Sequence, residues 1–375
     1  MHQVKIRAGL NVLLAVAVLF SAFVWGGGAA FAEGHAAGAI YVLTNDAAHN
    51  AVKIFNRAAD GTLTPAGSVA TGGQGTGAGL GSQGALVLSE DNNWLFAVNA
   101  GSNEISVFDV ESSGLRMADK VASGGSMPIS LTAHDDVLYV LNAGSPANIT
   151  GFRVGKHGHL TPIAHSTQPL SAADPAPAEV SFNPDGDLLV VTEKGTNKID
   201  TYVVDRHGLA AAPVVHNSVG MTPFGFAYGK RNQLIVSEAF GGAPGASAVS
   251  SYRADEDSPF TVLSGSVPNG QGAACWVAIS QNGRYAYISN TGSGTVSSYS
   301  IAHNGTLTLL NAHAGQMGAG SKPADSAFSQ NGRFLYVLGE GSFAVSAFQF
   351  QSDGSLTPLA GASGLPMSTV GLAAR

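Results

Sequence analysis

The stretch SQNGRYAYISNTGSGTVSSYS, Ser280 to Ser300, returns forty-nine residues later as SQNGRFLYVLGEGSFAVSAFQ, Ser329 to Gln349. In both copies an Asn-Gly turn opens a short apolar run, and a second Gly-containing turn leads into another. Val, Ile, Tyr and Phe dominate the runs, and Gly or Asn-Gly ends them. Runs of this length and make-up predict strands, not helices.

Working outward from this pair, the unit occurs seven times. The second-strand segments are YVLTND (from Tyr41), LFAVNAG (Leu95), LYVLNAG (Leu138), LLVVTEKG (Leu188), LIVSEAF (Leu234), YAYISNTG (Tyr285) and FLYVLGEG (Phe334). Third strands follow as AVKIFN, EISVFDV, NITGFRV, NKIDTYVV, AVSSYRA, TVSSYSI and AVSAFQF. DGTLTP, HGHLTP, NGTLTL and DGSLTP turns lead into fourth strands. The copies are spaced by roughly 43 to 54 residues, a period that with four short strands per unit predicts a β-propeller. Each sheet has two apolar faces, and stacking around an axis covers both. The first copy enters at Ala39-Ile40-Tyr41, already in a second strand. The tail MSTVGLAAR, Met367 to Arg375, is similar to the first strands PADSAF and PAEVSF. The expected fold is therefore an all-β, seven-bladed propeller closed by a C-terminal strand that completes the first blade.

Composition agrees. Of 375 residues 45% are hydrophobic and 11% charged, and the 49 glycines follow no G-x-y period, as tight turns between many strands require. Lys5 and Arg7, the apolar Leu13 to Phe20 and the small-x-small Ala30-Phe31-Ala32 predict a signal peptide over residues 1–32. A single propeller domain over 33–375, secreted or periplasmic, would remain. Cleavage there removes two basic residues and no acid, moving the net charge from −7 to −9. An acidic chain without basic clusters excludes nucleic acid and anionic lipid as partners. Cys275 is the one cysteine, so no internal disulfide closes the ring. The mature chain is expected to be monomeric, without a membrane span.

The YVxN-like strand ends and the turns Pro184-Asp185-Gly186, Asn282-Gly283-Arg284 and Asn331-Gly332-Arg333 resemble the lactonase family of seven-bladed propellers. That family includes bacterial 6-phosphogluconolactonases, fungal carboxymuconate cyclases and YVTN-type surface propellers. The resemblance spans the mature chain. It implies lactone chemistry at the channel mouth, where enzymatic members use a His, arginines and a Glu on an anionic lactone. Here no first strand carries His after its Pro. Arg284 and Arg333 fall in first-to-second-strand turns, and Arg57, Arg153 and Arg253 at or just beyond third-strand ends. Lys194 and Lys322 are the basic residues that the geometry puts at the mouth, so a phosphorylated substrate fits poorly.

First strands line a propeller channel, and the loops at one end form the mouth where ligands bind. This geometry puts Glu179, Trp276 and Asp325 at equivalent first-strand starts. It puts Glu193 and Glu238 at second-strand ends, where other blades carry Asn45, Asn99, Asn142 and Asn290. The candidate catalytic residues are Glu179, Glu193, Glu238 and Asp325, as crowded carboxylates serving as acid and base. Candidate substrate contacts are Trp276, Lys194, Lys322, Asn99, Asn142 and Asn290. Carboxylates with Asn carbonyls could also hold Ca²⁺, whereas Asn and Glu as plain turn residues need no ligand. No cofactor or metal is assigned. Cys275 reads as a core residue. His165, His216 and His313 lie in different blades, too far apart to share an ion. Gly72 to Gly81 has neither P-loop nor dinucleotide pattern and reads as a flexible blade connection at the mouth. Two functions follow: a lactonase (a carboxylic ester hydrolase) hydrolysing or isomerising a lactone at the channel mouth, or a non-catalytic binding or scaffold propeller of the periplasm or cell exterior that takes a small molecule or a protein partner at its mouth.

Overall fold

Seven antiparallel sheets of four strands, one with a short extra strand, surround a central axis; six run in sequence order and the seventh takes its inner strand from the end of the chain. The computed structural model describes residues 1–2, 36–256 and 258–375; the leader predicted over 1–32 lies, after its first two residues, outside the described residues. The innermost strands are Leu86–Leu88, Pro128–His134, Pro177–Phe182, Pro223–Tyr228, Ala274–Ile279, Pro323–Phe328 and Val370–Ala374. Each packs on the next, and Val370–Ala374 packs on Leu86–Leu88 to complete the circle. We number the blades 1 to 7 by their second strands, from Gly38–Leu43 to Phe334–Gly339.

The closing strand behaves as its sequence predicts. Val370–Ala374 pairs antiparallel with Gly38–Leu43, Tyr41 opposite Ala373, and so joins the end of the chain to blade 1. Buried Arg57 secures the seam: its guanidinium donates to the carbonyl of Arg375 at 3.3 Å and to that of Ala37 at 2.6 Å. Hydrogen bonds thus close a ring that has no disulfide.

Burial is deepest in the second strands and falls toward the outer rim. Second strands such as Val137–Asn142 and Leu188–Glu193 are buried throughout, which is why they read as unbroken apolar runs. Fourth strands such as Leu63–Ala70 are mostly exposed. Neighbouring blades are stitched by second-strand tyrosines reaching the third-to-fourth-strand turn of the next blade. Tyr139 donates to the carbonyl of Gly208, Tyr287 to Gly354 and Tyr336 to Gly61, at 2.7–2.8 Å. At Gly61, φ is +91° and a Cβ would lie 2.5 Å from the Phe334 ring. The recurring turn glycine is therefore required both by its backbone conformation and by the neighbouring blade.

Candidate functional site

At the mouth the chain repeats one device. The residue before five of the seven first strands, Met127, Ala176, Thr222, Ala273 or Lys322, sits at positive φ between 48° and 57°. Its carbonyl accepts the N–H of the residue just past the second strand: Ala143, Lys194, Ala239, Thr291 or Glu340, at 2.9–3.1 Å. Two successive positions at each second-strand end are thereby fixed, and they do different work.

The first position holds the incoming blade connection. Asn99 donates to Ser106 at 2.8 Å and accepts from Thr71 at 2.6 Å and Asn50 at 2.9 Å. Asn142 donates to the carbonyl of Ser123 at 3.2 Å and to Asn148 at 3.0 Å. Asn290 donates to Thr295 and Ser297 and accepts from Asn269 at 3.0 Å. Glu193 does the same with a carboxylate, accepting the Ser171 N–H at 2.9 Å and the hydroxyls of Ser171 and Thr196. Its neighbour Asp200 accepts the same Ser171 N–H at 3.0 Å. Burial, then the adjoining Glu193, push Asp200 up to about 8. Glu238 accepts the Gly220 N–H at 2.9 Å and the hydroxyls of Ser250 and Ser266. Its pKa is raised by burial, against those three bonds. All five side chains are fully buried, and the structure does not bring Glu193, Glu238, Asn99, Asn142 or Asn290 to the open mouth.

The second position is small in most blades: Ala100, Ala143, Ala239 and Thr291. In blade 4 it is Lys194 and in blade 7 Glu340. The Lys194 ammonium lies 4.6 Å from the centre of the Phe224 ring and donates to the carbonyl of Gly81. Burial lowers its pKa to about 8. Burial raises Glu340 to about 7, helped by the charge of Asp325 and opposed by Lys322. Among the described residues no side-chain or backbone donor is bonded to the Glu340 carboxylate. The two groups flank one short segment: a Cβ on Gly79 would lie 3.6 Å from Glu340 Oε2, and one on Gly81 3.6 Å from Lys194 Nζ. Both charges also act on the Cys275 thiol, which burial pushes up to about 11. Phe224, over which the lysine sits, packs against Trp276 with ring centres 5.0 Å apart. Lys322 is exposed on blade 7.

Glu179 and Asp325 lie deeper, and the reason is Ser82-Gln83-Gly84. The glycine-rich connection does not stop at the mouth; its end enters the axis. Gln83 donates its N–H to the carbonyl of Ala178 at 3.0 Å. Its side-chain amide donates to the carbonyls of Phe226 and Val277, each at 3.1 Å, and accepts the Val277 N–H at 3.0 Å. Trp276 Nε1 donates to the carbonyl of Ser82 at 2.9 Å. A Cβ at position 225 would stand 2.2 Å from Gln83 Oε1, so only Gly225 admits the glutamine. Beyond this plug is a cavity of about 270 Å³ lined by Glu179, Asp325, Ser181 and Ser326, among others. Glu179 accepts the Phe226 N–H at 2.6 Å, and Asp325 accepts those of Gly84 and Gly371 at 3.2 Å. Burial raises Glu179 well above the usual carboxylate range and Asp325 to about 7.

Of the sequence candidates, then, Lys194 lies at the mouth over Phe224, which packs on Trp276, and Lys322 is exposed nearby, whereas Asp325 lies deeper with Glu179. Glu340, Gln83 and Phe224 are not among the sequence candidates. Glu340 had a readable signal, since aligning FLYVLGEG with LLVVTEKG sets it opposite Lys194. No group of three or more His, Cys, Asp or Glu among the described residues could hold a metal ion. Arg284 and Arg333 lie over the rings of Tyr285 and Phe334, in the turns where the sequence puts them.

Blade number and ring closure define a seven-bladed β-propeller completed by its C-terminal strand. The chain matches the family described as Lactonase, 7-bladed beta-propeller, over residues 35–173 and 234–327, and belongs to it. No curated protein matches the sequence. Among solved structures, a Lactobacillus plantarum protein is similar with a TM-score of 0.72 and 18% identity, over 89% of this chain and 98% of that one. The Pseudomonas aeruginosa periplasmic gluconolactonase is similar with a TM-score of 0.68 and 18% identity, over 88% and 98%. A candidate 6-phosphogluconolactonase of Bacteroides fragilis gives 0.66 and 18%, over 90% and 97%. At these identities the likeness is one of fold. No helix among the described residues is long and apolar enough to cross a membrane.

Proposed function

We propose that the chain is an exported lactonase that adds water to the carbonyl of a neutral or singly charged lactone at the channel mouth. The observation that carries this reading is the pair Lys194 and Glu340, which hold one register position in blades 4 and 7 and face each other across Gly79–Gly81. Glu340 is the general base: with a pKa of about 7 its carboxylate can take a proton from water near neutrality. As water oxygen bonds to the lactone carbonyl carbon, the Lys194 ammonium donates to the oxyanion that forms. Collapse breaks the ring C–O bond, and the departing ring oxygen takes the proton that Glu340 holds. The product is the hydroxy acid. Phe224 and Trp276 give the sugar ring an apolar wall, and Asp325 acts through its charge on Glu340. With Lys194 and Lys322 as the cations of the mouth, a doubly charged phosphate finds no arginine fork. Membership of the lactonase family and likeness to a periplasmic gluconolactonase support the reaction class, and the basic-apolar start with Ala30-Phe31-Ala32 supports export.

The test is hydrolysis of glucono-1,5-lactone and its 6-phosphate, followed by base uptake above the spontaneous rate. Turnover favouring the unphosphorylated lactone is expected. Glu340→Gln should lower it by about 10²–10⁴-fold, the usual cost of losing a general base. Absence of turnover on either lactone would defeat the proposal.

A further inference from the structure

We infer that Thr76–Gly81 is a lid caught in its closed position, covering the lysine that a lactone carbonyl would use; this rests on the reading of Lys194 as the donor to that carbonyl. The Lys194 ammonium is bonded to Gly81 O on one side and lies over the Phe224 ring on another, so the closed segment covers the approach by which a lactone carbonyl would reach its remaining N–H groups. Gly79 lies against Glu340 on the other side, so the segment fills the gap between base and donor.

The lid has fixed ends and a pliable middle. Thr71 is held by the carbonyl of Asn50 and by Asn99, at 3.0 and 2.6 Å, and Gln83 is locked in the channel. The first half of the connection is pinned as well, Gln74 and Gly75 bonding Ser102, Gly101 and Asp46 at 2.8–3.3 Å, and the glycines left to rotate at little steric cost are those at 77, 79 and 81. Three latches hold it down, one of them the Gly77 N–H, which donates to the Asn45 carbonyl at 2.9 Å. Asn45 donates to Thr76 Oγ1 at 2.9 Å and to the carbonyl of Ala78 at 2.6 Å, and accepts the Thr76 N–H at 3.1 Å. Leu80 is buried in the core beside blade 2. Few latches on a glycine-rich strap mark a segment that opens locally, without global unfolding. Opening frees Lys194 and Glu340 together. A lactone that binds only the open form meets a KM raised in proportion to the closed fraction.

Cys275 reports on this motion. It is the only thiol of the chain, is buried, and lies within electrostatic reach of both Lys194 and Glu340. In the native protein the rate at which an aromatic disulfide reagent labels it should follow lid opening. Thr76→Ala removes part of the polar latch and Leu80→Ala the apolar one. Each should speed labelling by about tenfold or more, as expected for losing a buried contact of this size, while the thermal midpoint stays well above the assay temperature. Both variants should also show a lower KM for the lactone. Labelling at the wild-type rate in both variants would overturn the lid. Faster labelling without lactone turnover in any form would leave the lid standing and remove the lactonase reading. Turnover with unchanged labelling would do the reverse.

Discussion

Glu238 in blade 5 and Glu340 in blade 7 stand one register position apart at the ends of equivalent strands, and that single step separates structure from chemistry. Glu238 is fully buried and accepts three donors, the Gly220 N–H of the connection between blades 4 and 5 and the Ser250 and Ser266 hydroxyls of blade 5 itself. Glu340 has no bonded donor among the described residues and faces Lys194 across the glycine segment. Burial raises the pKa of both, so a perturbed carboxylate is not by itself a functional one. What distinguishes them is whether the lone pairs are already in use. A satisfied carboxylate stabilises its loop; an unsatisfied one at a solvent-facing mouth is free to accept a proton from water.

Three changes sharpen or break this contrast. Removing Met367–Arg375 acts on the ring that both glutamates depend on. It strips blade 1 of its inner strand, exposes the Gly38–Leu43 edge and abolishes the Arg57 anchor. Loss of monomeric folded protein in size-exclusion chromatography is expected; a truncated chain as stable as the full one would refute the closure. Next in size is Glu340→Gln, with its loss of about 10²–10⁴-fold in turnover and a nearly unchanged melting temperature. Smallest is Glu238→Ala, which leaves the Gly220 N–H and two hydroxyls unpaired. Denaturant unfolding should show a loss of about 1–3 kcal/mol, the cost of buried donors without acceptors, with kcat retained in the protein that remains folded. An inactive but fully stable Glu238→Ala would invert the contrast.

The same one-residue step explains what the sequence could and could not disclose. Strand order, blade number and the closing strand were legible because alternation, turn residues and period are set by local chemistry. Lys194 was legible because a cation stands out among apolar runs. Glu193 and Glu238 were read toward the mouth because a strand-end side chain changes face with a shift of one residue, and only the bonded loop reveals which face it takes. Glu340 was passed over because Gly339 holds the position where other blades carry Asn or Glu, making the acid look like part of a turn. Gln83 was hidden for another reason: its partners come from the carbonyls of Phe226 and Val277, far away in sequence. No local pattern encodes such a contact.

The central claim, that Glu340 and Lys194 work as base and donor, is tested most directly by the pH dependence of kcat/KM for glucono-1,5-lactone. The base acts as a carboxylate, so the rate should fall as pH drops through about 7, where Glu340 gains its proton. The donor acts as an ammonium, so the rate should fall again as pH rises through about 8, where Lys194 loses its own. A narrow bell between these limits is expected, with the acid limb missing from the residual activity of Glu340→Gln. A wild-type profile that stays flat across both values, or an acid limb that survives in Glu340→Gln, would contradict the account.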